Sequence, residues 1–168
     1  DELTYSQQFL TPSTVEGIRQ KLGVSEILRH RLTHQGFSVQ GETTQSAGID
    51  RKTVKKYQEV TYKRATAVLD RGVMLNPRLH LAFPTRDDAE TAHRQHLCLS
   101  RNEDVVMPNG PIREMAESEF DELPGFELMF GQSEDAFMVG YNRYEDGAPM
   151  YGTLNITGDP VGTEHINR

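Results

Sequence analysis

The segment Gly48-Ile49-Asp50-Arg51-Lys52-Thr53-Val54-Lys55-Lys56-Tyr57 places four cations and a hydroxyl within six consecutive positions. Arg51, Lys52, Thr53, Lys55 and Lys56 are the residue types that meet phosphate oxygens and base edges. A second group, Glu90, His93 and His96, repeats a possible metal ligand every three residues. On a helix that spacing keeps the three side chains near one face. It is not one of the recognised zinc spacings, so the group stands as a weak metal alternative beside a plain solvated helix face. Cys98 is the single cysteine and lies between Leu97 and Leu99, the setting of a buried, inert thiol. The sequence contains no Gly-rich phosphate loop and no nucleophile elbow.

These groups need elements to position them. Pro12-Ser13-Thr14-Val15-Glu16 has the form of a capping box, with Ser13 as N-cap and Val15, Ile18 and Leu22 facing inward until Gly23. Val24, Ile27, Leu28 and Leu32 continue the three-and-four spacing, which predicts a second helix with Arg29 and Arg31 off its apolar face. A third helix is expected from Asp50 to about Asp70, using Val54, Tyr57, Val60, Tyr62, Ala65, Val68 and Leu69. Leu79, Leu81 and Phe83 alternate with His80 and Ala82, a strand signal, and Thr85 caps a helix running towards Leu97. Short strands around 97–107 and a short helix near 112–120 follow. The runs 126–130, 136–141 and 150–157, separated by Gly131-Gln132-Ser133-Glu134-Asp135 and Glu145-Asp146-Gly147-Ala148-Pro149, predict an antiparallel meander. The expected fold class is therefore α+β, a helical N-terminal part packed on a small antiparallel C-terminal sheet. It forms a single domain over 1–168: residues 1–72 helical and basic, residues 73–157 mixed and acidic, residues 158–168 a loose tail.

Two resemblances attach functions to these residues. Residues 48–57 resemble the turn and recognition helix of helix-turn-helix DNA-binding proteins: Gly48 at the turn, Ile49 between the helices, Asp50 as cap, Val54 and Tyr57 inward. The resemblance implies that Arg51, Lys52, Thr53, Lys55 and Lys56 meet double-stranded DNA. Separately, Tyr62-Lys63-Arg64, the strand and helix that follow, and Glu117-Ser118-Glu119 are loosely similar to small ADP-ribosyltransferase effectors. That likeness implies an NAD site in which Arg64 holds the phosphates and Glu117 and Glu119 orient the ribose.

Composition sets the limits. The chain has 168 residues, 36% hydrophobic and 26% charged, with a formal net charge of −7. That is the composition of a globular protein rather than a disordered one. Residues 1–72 carry 11 Lys+Arg against 8 Asp+Glu, or +3, and residues 73–168 carry 7 against 17, or −10. One cysteine permits no intrachain disulfide and suits the cytoplasm or another reducing compartment, or delivery by a dedicated secretion system. No apolar run is long enough to span a bilayer as a helix, so no membrane partner is expected. The leading expectation is a non-enzymatic binding protein that needs no cofactor, a DNA-binding regulator or mobile-element accessory protein. The alternatives are a small effector or toxin-type enzyme using NAD, and an acidic inhibitor or immunity-type protein whose C-terminal part meets a basic protein.

Overall fold

Thr and Val recur through residues 37–74, at Val39, Thr43, Thr44, Thr53, Val54, Val60, Thr61 and Val68, and no proline interrupts them. β-Branched side chains lose rotamer freedom in a helix and pack well on a pleated surface, so this stretch is extended. The computed structural model describes residues 4–54, 59–99 and 105–162; side chains at 4, 46–54, 59–61, 63 and 65 are outside that description. In chain order the elements are β1 (Thr4–Tyr5), α1 (Pro12–Leu22), β2 (Arg29–Thr33), β3 (Phe37–Val54), β4 (Glu59–Met74), β5 (Arg78–Ala82), α2 (Arg86–His93), β6 (Leu97–Cys98), β7 (Val105–Val106), α3 (Glu117–Asp121), β8 (Gly125–Phe130), β9 (Phe137–Asn142) and β10 (Ala148–Thr157).

The fold is mostly β, which corrects the expected helical N-terminal part on a small sheet. Of the three N-terminal helices expected, only α1 forms. The helix expected from Asp50 is strand instead: β3 pairs antiparallel with β4 from Phe37↔Met74 to Val54↔Glu59. The apolar spacing of three between Val54, Tyr57 and Val60 was a coincidence of composition. The helix expected over 24–36 is a loop followed by β2, in which Val24 and Ile27 enter the core while Leu28 is half exposed.

Two units are present, one made of the segment ending at Ser6 with Phe37–Met74, the other of Gln7–Gly36 with the chain from Leu75 onward. The first contains a sheet ordered β1-β4-β3. The second contains a five-stranded antiparallel sheet ordered β5-β2-β8-β10-β9, and β6 paired with β7. The three C-terminal strands stand where their aromatic and β-branched runs place them, but β10 lies between β8 and β9, so they do not form a simple meander. Helix α1 begins two residues earlier than the capping-box reading: Thr11 is the N-cap, its Oγ1 accepting from Thr14 N–H at 3.3 Å, and Pro12 occupies the first turn. Gly23 ends it in the left-handed conformation at φ 70°. Leu10, Ile18, Leu22, Val24, Ile27 and Leu97 form the buried cluster, with Val15, Leu79, Leu81 and Phe83 packed against it.

The weak point of the larger sheet is the seam between β2 and β8, where a single registered pair, Leu32↔Phe126, joins the strands. His30 contributes there from its side chain. It is 2% exposed, and its Nε2 accepts both Leu10 N–H (3.2 Å) and Leu128 N–H (3.3 Å). The proton of the neutral ring therefore sits on Nδ1, and charging the ring would aim a third donor at two others. Burial pushes the His30 pKa down to about 4, and burial also lowers that of His34, whose ring stacks on Phe126.

A folded-state pKa below the unfolded value near 6.5 gives stability that is whole above pH 6.5 and lost as pH falls towards 4. Unfolding by urea should therefore show a loss of about 2 kcal/mol between pH 7 and pH 5 from His30 alone. In a His30→Gln variant most of that dependence should vanish. Equal native stability at both pH values would contradict this assignment.

Candidate nucleic-acid interface

The antiparallel ribbon of β3 and β4 has strands of 18 and 16 residues, about 50 Å long at the usual rise. The base of the ribbon is fastened by β1, which pairs parallel to β4 through Thr4↔Arg71 and Tyr5↔Gly72. Gly72 is required there because a Cβ would lie 2.2 Å from the Tyr5 ring. That ring makes an edge contact with Phe37 at 5.2 Å, Ser6 N–H donates to Gly72 O at 2.9 Å, and Arg71 pairs with Glu42 at 2.9 Å. Further along the ribbon little is covered: Val39, Val68 and Tyr62 are 58%, 68% and 69% exposed.

Of the residues expected to meet DNA, Arg51, Lys52 and Thr53 lie in β3, opposite Tyr62, Thr61 and Val60 of β4. They are thus on a strand rather than on a recognition helix. Lys55 and Lys56 fall outside the described residues. The pairing also brings two cations that the linear motif did not include: Lys63 is opposite Asp50, and Arg64 is opposite Ile49. Arg64 Nη1 donates to Gln45 Oε1 at 3.3 Å. Residues 48–64 together hold six Lys+Arg and two Asp+Glu, a local charge of 6 − 2 = +4.

The other expected groups stay apart or are engaged. Glu90 and His93 share α2, but Glu90 pairs with Arg86 at 3.0 Å, His93 Nε2 lies 2.8 Å from Gly110 O, and His96 lies beyond the helix end. Among the described residues no three His, Cys, Asp or Glu side chains gather as a metal site. For the NAD alternative, Arg64 belongs to the ribbon unit and Glu117 and Glu119 to the other. Glu117 reaches Arg29 at 3.5 Å, and Glu119 Oε2 accepts the Ala116 N–H at the start of α3. Thr85 caps α2 as expected, its Oγ1 accepting from Asp88 N–H at 3.2 Å.

Sequence reasoning missed a buried charge cluster at the β2–β8 seam. Arg31 is 0% and Glu127 2% exposed. Arg29 clasps Glu127 with Nε at 2.6 Å and Nη2 at 2.9 Å, and also reaches Asp121 Oδ1 at 2.9 Å. Arg31 donates from Nη1 to Thr157 Oγ1 at 2.7 Å. Its Nε lies 3.2 Å from Glu127 Oε2 yet is too far off line for a hydrogen bond, which leaves that contact ionic only. The Phe120 ring covers both guanidinium groups, at 5.3 and 5.7 Å. Hydrogen bonding to Glu127 holds the Arg29 pKa above its ordinary value. The signal in the sequence was Glu127 itself, a carboxylate inside the apolar strand run Phe126-Glu127-Leu128, which must find a cation. Gly125, at φ 149°, suits the same seam: a Cβ there would lie 3.2 Å from both the Leu32 backbone and Arg31 Cβ.

In this cluster the Arg29, Arg31 and Glu127 charges face one another, with Arg31 and Glu127 buried together. No protein-family model, curated protein or solved structure matches this chain. Removing one member of a buried pair strands the other, so Glu127→Ala should cost about 3–5 kcal/mol in chemical denaturation. The solvent-accessible pair Glu16–Arg19 should matter far less. A Glu127→Ala loss below about 1 kcal/mol would show that the seam does not depend on this ion.

Proposed function

We propose that the protein is a non-enzymatic binding protein that grips double-stranded DNA with the distal half of the β3–β4 ribbon, in the manner of a regulator or mobile-element accessory protein. One observation carries this reading: residues 48–64 hold a charge of +4 in a chain whose total is −7, so the remaining residues hold −7 − 4 = −11. A field divided in this way draws one end of a ribbon to a polyanion and repels the rest, which fixes the direction of approach.

The geometry suits the task. The major groove of B-DNA admits a two-stranded β-ribbon, and β-ribbon proteins read either groove. Two antiparallel strands present Arg51 and Lys52 beside Tyr62 and Thr61, so cations and hydroxyl-bearing residues recur along both edges of one narrow element. Arg and Lys supply affinity through phosphates, and hydroxyls add positioning contacts without reading sequence. Affinity should therefore be largely independent of sequence and strongly dependent on salt.

Fluorescence anisotropy with random duplex DNA should show affinity falling about 10³-fold between 50 and 200 mM salt if all six cations contact phosphate. Each cation removed should lower the salt slope by about one unit. The double variants Arg51→Glu with Lys52→Glu, and Lys63→Glu with Arg64→Glu, should each weaken binding at low salt by about 100-fold or more. Both should leave the unfolding of the five-stranded sheet unchanged. Binding that either double variant leaves intact would refute the ribbon as the DNA-contacting element.

A further inference from the structure

The same ribbon has a second property, independent of what its distal half binds. Strand β3 is the edge of the β1-β4-β3 sheet, and from Phe37 to Gln45 it runs nine residues in unbroken register before the shift between Gln45 and Ile49. Proteins blunt such edges with lysine, proline, bulges or brevity. This stretch, Phe37-Ser38-Val39-Gln40-Gly41-Glu42-Thr43-Thr44-Gln45, has no lysine and no proline, and its one charge, Glu42, is met by Arg71 across the ribbon. A two-stranded ribbon is marginal in water, and three or more strands with a shared apolar face are needed for independent stability. Val39 and Val68 are exposed on it, as is Leu69.

We infer that two copies of the chain associate through the Phe37–Gln45 edges of β3, joining their ribbons into one antiparallel sheet about a two-fold axis at Gly41. The occupant is a second copy for two reasons. Two molecules each carrying −7 repel at most approaches, and this stretch is where a neutral edge is offered. The stretch is also its own complement. Antiparallel pairing about Gly41 sets Val39 against Thr43 of the second copy, Ser38 against Thr44, Phe37 against Gln45, and Gln40 against Glu42. No like charges meet, and a side-chain amide faces the one carboxylate. Isologous pairing of this kind closes at two copies instead of growing into a fibre. The register shift after Gln45 ends the pairing before the basic residues, so each distal half remains outside the contact.

Sedimentation equilibrium of the full chain tests this directly. The native protein should show a monomer–dimer equilibrium, and a monomer at all concentrations up to about 100 µM would overturn the proposal. Val39→Lys with Thr43→Lys, and Val39→Glu with Thr43→Glu, each set like charges against each other across the axis at exposed positions. Each double variant alone should dimerise at least about tenfold more weakly, and an equimolar mixture of the two should recover the native association or exceed it. Variants that dimerise as well as the native chain, or a mixture that stays as weak as its components, would overturn it.

Discussion

The larger unit depends on how β2 is joined to β8. Backbone pairing supplies one registered pair at Leu32↔Phe126, and side chains hold the rest of the seam. On one face Arg29 and Arg31 close on Glu127 beneath Phe120, and on the other the His30 ring takes the Leu128 amide that a ladder would otherwise use. Backbone hydrogen bonds tolerate almost any side chain, whereas this seam tolerates few. An orphaned buried ion or imidazolium costs several kcal/mol, a sizeable fraction of the stability of an ordinary domain. The same His30 atom also receives the Leu10 amide, so the entry to α1 and the seam are secured through one ring.

The ribbon unit obeys a different constraint. Its strands are long, but the sheet is two strands wide over most of its length, so it cannot bury one face against itself. Packing is concentrated at its base, where Tyr5 lies over Gly72 and against Phe37. Further along, the described side chains of Val39, Tyr62 and Val68 are largely exposed. Charge is divided along the chain, +4 over 48–64 and −11 elsewhere. The proposed roles use different stretches of this element, the neutral one near the base for a second copy and the basic one for DNA.

What was legible in the sequence follows from which residues face one core. The strands containing Phe126, Leu128 and Phe130, and Met150 to Thr157, were readable because bulky residues recur between glycine- and acid-rich turns. Thr85 and Gly23 were readable because caps are local chemistry. Strand β2 was hidden because both its faces are buried, one by His30 and Leu32 and the other by Arg31, so polarity did not alternate with burial. Strands β3 and β4 were hidden because a ribbon with little core imposes no apolar period, and chance spacing then imitated a helix. The helix-turn-helix likeness at 48–57 failed structurally for that reason, while its chemical content, the cluster of cations, was a property of composition and did not depend on the element carrying it.

The proposed role requires that a polyanion cover the distal half of the ribbon while the five-stranded sheet is secured by its own side chains. Amide hydrogen exchange of the full chain, with and without duplex DNA at low salt, tests this most directly. DNA should slow exchange in β3 and β4 about tenfold or more and leave the amides of β2, β8 and β10 unchanged. Ribbon amides that exchange at the same rate with and without DNA, or protection confined to the five-stranded sheet, would contradict it.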